Sequence, residues 1–152
     1  MKRREALKTI GISTVSLAGA ASFVGCAPSA QEGSRNVAAQ GGVRVGKTSD
    51  FPKVGSSLEF DFGGSPAIAV RTASAQPGGL SANGVNYVAL SRICSHLGCT
   101  LNLPDGAGNM GCGCHGSVFQ AQTGAVVNGP ADKPLASLKL ELRGTDLYAI
   151  GV

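Results

Sequence analysis

Cys94-Ser95-His96-Leu97-Gly98-Cys99 and Cys112-Gly113-Cys114-His115-Gly116-Ser117 are the two stretches on which the reading of this chain turns. Of the five cysteines and two histidines in 152 residues, these boxes hold four cysteines and both histidines. Nearly all the metal-binding thiol and imidazole side chains therefore fall on two short loops. Each box can offer one thiolate and one imidazole, Cys94 with His96 and Cys112 with His115. Two cysteines and two histidines satisfy a tetrahedral zinc ion. They equally satisfy the kind of iron-sulfur centre in which two histidines replace two cysteines on one iron. C-x-H followed by C-x-x-H is not the zinc-finger spacing, and Cys99 and Cys114 are left over in either case.

The two boxes closely resemble those of the Rieske iron-sulfur proteins, C-x-H in the first loop and C-x-x-H in the second. The resemblance implies one two-iron, two-sulfur cluster held by Cys94 and Cys112 on one iron and by His96 and His115 on the other. In the Rieske proteins of cytochrome bc complexes, cysteines at the positions of Cys99 and Cys114 form a disulfide between the loops. Oxygenase Rieske domains and their ferredoxins generally lack this second pair. Its presence here favours the respiratory branch. The fold implied is all-β: an antiparallel β-barrel or sandwich base carrying a small cluster-binding subdomain.

Two positions after the second box bear on the potential. High-potential members of the family place a Ser hydroxyl at Ser117 and a Tyr hydroxyl at the position of Phe119, and this chain has only the first. Hydrogen bonds to cluster or ligand sulfurs stabilise the more negative reduced state, so the resemblance implies a potential below that of the Ser-plus-Tyr members. Further on, Asn128-Gly129-Pro130-Ala131-Asp132-Lys133-Pro134-Leu135 resembles the proline loop that covers the cluster from a third side.

Around these loops the apolar residues recur with short periods, and turn residues interrupt every run. Strands are expected near Val43 to Lys47, Ser57 to Phe62, Ala67 to Arg71 and Val85 to Ser91. A closing hairpin is expected at Leu138 to Arg143 and Leu147 to Gly151, turned by Arg143-Gly144-Thr145-Asp146. Shorter strands are expected beside the cluster loops, around Thr100 to Leu103, Asn109 to Gly111, Ser117 to Gln120 and Ala125 to Val127. The 43% hydrophobic content suffices for one domain's core, while 23 glycines and 5% aromatic residues point to a loop-rich body.

The formal net charge is +4. Lys2, Arg3, Arg4 and Lys8 against Glu5 account for +3, which leaves +1 for everything else. A chain so nearly neutral beyond its first turn offers no nucleic-acid surface. Residues 1–26 read as an export signal, a basic start followed by an uncharged run. Arg3-Arg4-Glu5-Ala6-Leu7-Lys8 resembles the twin-arginine signal, and Phe23-Val24-Gly25-Cys26 a bacterial lipobox that would leave Cys26 lipid-modified at a new N-terminus. A retained N-terminal anchor helix and cleavage without lipid are the competing readings. Residues 27–42, rich in Ala, Ser, Gln and Gly, read as a flexible linker, and 43–152 as the Rieske domain. The expected location is outside the cytoplasm, at the outer membrane face or in the periplasm, tethered by one of these means.

The resemblance thus implies an electron-transfer subunit without catalytic residues of its own. Its leading form is the iron-sulfur subunit of a quinol:cytochrome c oxidoreductase of the cytochrome bc type. The partners would be a cytochrome b-type subunit, quinol, and a c-type cytochrome or equivalent acceptor. The small subunit of a periplasmic molybdenum oxidase such as arsenite oxidase, or a free-standing periplasmic carrier, stands as the alternative.

Overall fold

In the computed structural model the described residues are 41–152, so the expectations for the export signal, for Cys26 and for nearly all of the linker lie outside them. Ten strands follow: β1 Val43–Lys47, β2 Ser57–Phe62, β3 Ser65–Thr72, β4 Leu80–Ala82, β5 Val85–Ser91, β6 Asn109–Gly111, β7 Val118–Gln120, β8 Val126–Asn128, β9 Ser137–Arg143 and β10 Asp146–Gly151. A single 3-10 turn at Thr48–Asp50 is the only helical element among the described residues.

Seven strands form an antiparallel sheet in the order β1-β10-β9-β5-β3-β2, with β4 paired to β5 along the edge that β9 also uses. The sheet curls almost into a barrel: a side chain at Gly46 in β1 would strike Leu58 of β2. The second sheet, β6-β7-β8, is a short meander. Apart from the 3-10 turn the fold is all-β, as the resemblance implied.

The alternation along β3 and β5 explains why their sequences read as nearly continuous apolar runs. Side chains alternate faces along a strand, and here both faces are buried. Ala67 and Ala69 of β3 and Tyr87 and Ala89 of β5 face a core with Phe51, Leu138 and Leu147. Ile68, Val70, Val88 and Leu90 face the opposite way, into a core with Leu101, Met110, Phe119, Ala121 and Leu135. Each of those four aliphatic side chains is at most 1% exposed, and burying each contributes about 1.5–3 kcal/mol. β3 and β5 thus turn three alanines and Tyr87 toward the base core, and their bulky aliphatic residues form the floor on which the second sheet rests.

The strand expected at Thr100 to Leu103 does not form. Thr100 makes only an isolated bridge to Ile93. Beyond it, the Leu101 amide bonds to the Arg92 carbonyl and the Asn102 amide to the Gly111 carbonyl, so the segment changes partners before any ladder can extend. The other expected strands appear within one or two residues of their bounds. The closing hairpin pairs Arg143 with Asp146 across its turn.

Candidate metal centre

The two boxes are built alike. In the first, the Cys94 amide donates to the Cys99 carbonyl and the Gly98 amide to the Cys94 carbonyl. In the second, the Cys112 amide donates to the Ser117 carbonyl and the Gly116 amide to the Cys112 carbonyl. Gly98 and Gly116 share φ of +76°, a conformation that L side chains rarely adopt. Each box is therefore the same backbone turn, closed by a glycine four residues after its first cysteine. Ser117 occupies in the second turn the place that Cys99 holds in the first.

The turns bring the candidate ligands together. Cys94 and Cys112 are buried free thiols. The rings of His96 and His115 stand edge to face with centroids 4.9 Å apart and planes at 86°. His115 is exposed and His96 half-buried. The Nδ1 atom of His96 is buried without a hydrogen-bond partner. A buried polar atom left unsatisfied is costly, and in a metal protein it is the expected state of a ligand nitrogen. Burial pushes the Cys94 thiol up, but hydrogen bonds from the His96 amide, the Cys112 side chain, the Ser117 hydroxyl and the Leu97 amide outweigh it and hold the thiol below its ordinary value. Cys94, His96, Cys112 and His115 together fit a metal group that takes two sulfur and two nitrogen donors.

Cys99 and Cys114 are disulfide-bonded, with Cα atoms 6.5 Å apart. Their sulfurs and that of Cys112 lie within 4.8 Å of one another. Two of these three are consumed by the disulfide, so the trio is a covalent strap beside one free thiol and no metal site by itself.

Residues 128–135 close the third side. The Ser117 hydroxyl accepts the Ala131 amide hydrogen at 3.2 Å, and the Ser95 hydroxyl donates to the Lys133 carbonyl at 2.6 Å. The loop thus holds both cluster turns, and the sequence alone gave Ser95 no role. Leu97, next to His96 in the chain, is 66% exposed. Phe119 is fully buried in the core that also contains Cys94 and Cys112.

Residues 42–139 match the model of the Rieske [2Fe-2S] domain. The chain belongs to the Rieske family. Its cofactor is accordingly the Rieske two-iron, two-sulfur cluster and its activity electron transfer. Among curated relatives it is 32% identical over 103 residues to the cytochrome b6-f complex iron-sulfur subunit of Chlorobaculum thiosulfatiphilum, covering 68% of this chain and 50% of that one. The chain thus spans about half the length of that relative. Among solved structures it is similar to the cyanobacterial plasma membrane Rieske protein PetC3 from Synechocystis PCC 6803, with a TM-score of 0.54, 28% identity, and coverage of 70% of this chain and 97% of that one. It is also similar to a chain of a hyperthermophilic respiratory Complex III, with a TM-score of 0.52, 25% identity and 82% of each chain covered. This Rieske domain is therefore homologous to iron-sulfur subunits of cytochrome complexes. Among the described residues no helix is long and apolar enough to cross a membrane.

Proposed function

We propose that this Rieske protein is the iron-sulfur subunit of an exported, quinol-oxidising complex of the cytochrome bc type, and that Cys94 and Cys112 hold one iron and His96 and His115 the other. The observation that carries the reading is the Cys99–Cys114 disulfide, the second cysteine pair that separates the respiratory branch from the oxygenase branch. The names of the curated relatives point the same way.

When bound, a histidine-ligated cluster supplies one-electron chemistry at about −150 to +300 mV, within reach of a quinol. The chain's own residues supply its setting. His115 stands exposed at the tip and His96 half so, and with one nitrogen of each ring given to iron the other can accept a hydrogen bond from a quinol hydroxyl. Leu97, next to His96 in the chain, offers an apolar contact. Cys94 and Cys112 lie in the buried core. A cytochrome b-type subunit would supply the walls of a quinol pocket around these side chains, and a c-type cytochrome would take the electron. Residues 27–42 would act as a tether of about 20–25 Å typical span, anchored by lipid at Cys26.

Affinity purification of the full chain from native membranes tests the complex. Co-purifying b-type haem with quinol:cytochrome c reductase activity is the expected result, and a molybdenum-containing partner in its place would refute it.

A further inference from the structure

Among the described residues Arg92 is the only charged one that is buried, at 9% exposure. It lies two positions before Cys94, so its Cα is within about 7.6 Å of that of Cys94. One guanidinium nitrogen donates to the Glu59 carboxylate at 2.9 Å and another to the Leu101 carbonyl at 2.6 Å. Its Nε is buried with no partner.

These contacts place the cation where both cluster turns are rooted. The Arg92 carbonyl accepts from the Leu101 amide, and the Asn102 amide that follows donates to the carbonyl of Gly111, next to Cys112. Leu101 is itself buried in the core that contains Cys94 and Cys112. Among the described residues the countercharge paired with Arg92 is Glu59, whose side chain is 63% exposed and so partly screened by solvent. Burying a cation with an unused N–H is costly. What the cation adds is a positive field at the stems of both turns.

We infer that Arg92 is a positioning residue that also sets the cluster's potential, its buried positive charge favouring the reduced state and Glu59 partly offsetting it. Reduction adds one negative charge to the site. In general, a unit cation about 10 Å from an added negative charge, at an effective dielectric near 20, biases such an equilibrium by about tenfold. Tenfold corresponds to 59 mV for one electron.

The inference rests on the proposed ligand set, which the wild-type protein tests separately: electron paramagnetic resonance must show a histidine-ligated two-iron cluster. Failure there defeats the ligand assignment, whatever the variants do. With that signal present, protein-film voltammetry at low ionic strength compares Arg92→Met, Arg92→Lys and Glu59→Gln. Arg92→Met should shift the equilibrium about tenfold toward the oxidised form, Arg92→Lys much less, and Glu59→Gln toward the reduced form. A residue that merely braces the turns would not give shifts of opposite sign. Glu59→Gln changes an exposed carboxylate and keeps the test decisive if Arg92→Met loses iron. An Arg92→Met equilibrium within twofold of wild type, or a Glu59→Gln equilibrium unchanged or shifted toward the oxidised form, overturns the inference.

Discussion

The Ser117 hydroxyl accepts the Ala131 amide at 3.2 Å and helps hold the Cys94 thiol below its ordinary value, so one fully buried residue bears both on the loop at 128–135 and on a candidate ligand thiol. Ser117→Ala leaves the buried Ala131 amide unpaired and removes that hold on the thiol. The expected outcome is a stability loss of about 1–3 kcal/mol in chemical denaturation, together with a lower potential. An unchanged potential would separate Ser117 from tuning and leave it a purely structural residue.

Phe119 is fully buried between Met110 and Val126 in the register of the small sheet. Phe119→Tyr introduces a hydroxyl that must find a partner in this core, where the cluster-side sulfurs are the acceptors the family uses. The potential should rise in voltammetry, and the wild type should lie low enough to suit a donor such as menaquinol. No rise would show that position 119 only packs.

The disulfide links residues 15 apart in sequence. A cross-link closing a loop of that size contributes about 3 kcal/mol on chain-entropy grounds. The Cys99→Ser, Cys114→Ser double variant should lose roughly that much and release iron faster, while peptide mass mapping of the non-reduced wild type should recover the linked pair. Finding both thiols free would remove the strap from this account.

Gly129, at φ +97°, approaches the backbone of Ser117 so closely that an added Cβ would sit 2.5 Å from its Cα and 2.7 Å from the Gly116 carbonyl oxygen. Gly84, at φ +74° in the β4–β5 turn, has open space around it. Gly84→Ala should therefore cost only the left-handed penalty of about 1–2 kcal/mol. Gly129→Ala should cost more and lower the iron content, because backbone cannot swing aside as a side chain can. Thermal melts and iron assays of both variants give the comparison, and equal behaviour would count against close packing of this loop.

A mature chain starting at lipidated Cys26 is expected from the Gly25-Cys26 pair. Intact mass of membrane-extracted protein decides it: a mass that includes residues 1–25 would indicate a retained anchor.

Much of the site was legible because its chemistry confines it to short boxes. His96 and His115 stand edge to face, Cys94 and Cys112 share one buried core, and Cys99 pairs with Cys114. The strands with bulky alternating residues were equally plain. Leu80–Ala82 was missed because three residues of mixed character carry little periodicity. The signal that could have found it was Asn83-Gly84, whose successive positive φ values of 52° and 74° make the turn into β5. Thr100 to Leu103 looked like a strand from its composition, but its amides are taken by different partners. The role of Arg92 had no sequence signal, since a lone arginine before a ligand box reads as surface until its burial is seen.

The main sheet has one more implication. β5 and β9 are neighbours, with Ala89 opposite Leu138 and the Ser91 amide bonded to the Ala136 carbonyl. Everything between them, both cysteine-histidine turns and the proline-containing loop, leaves and rejoins the base at adjacent points. The metal-carrying portion is thus a single insert on a continuous scaffold. Such a layout lets the redox head vary as a cassette provided that the residues it packs onto β3 and β5 keep covering Ile68, Val70, Val88 and Leu90, so that floor is the one constraint the body places on changes in the head.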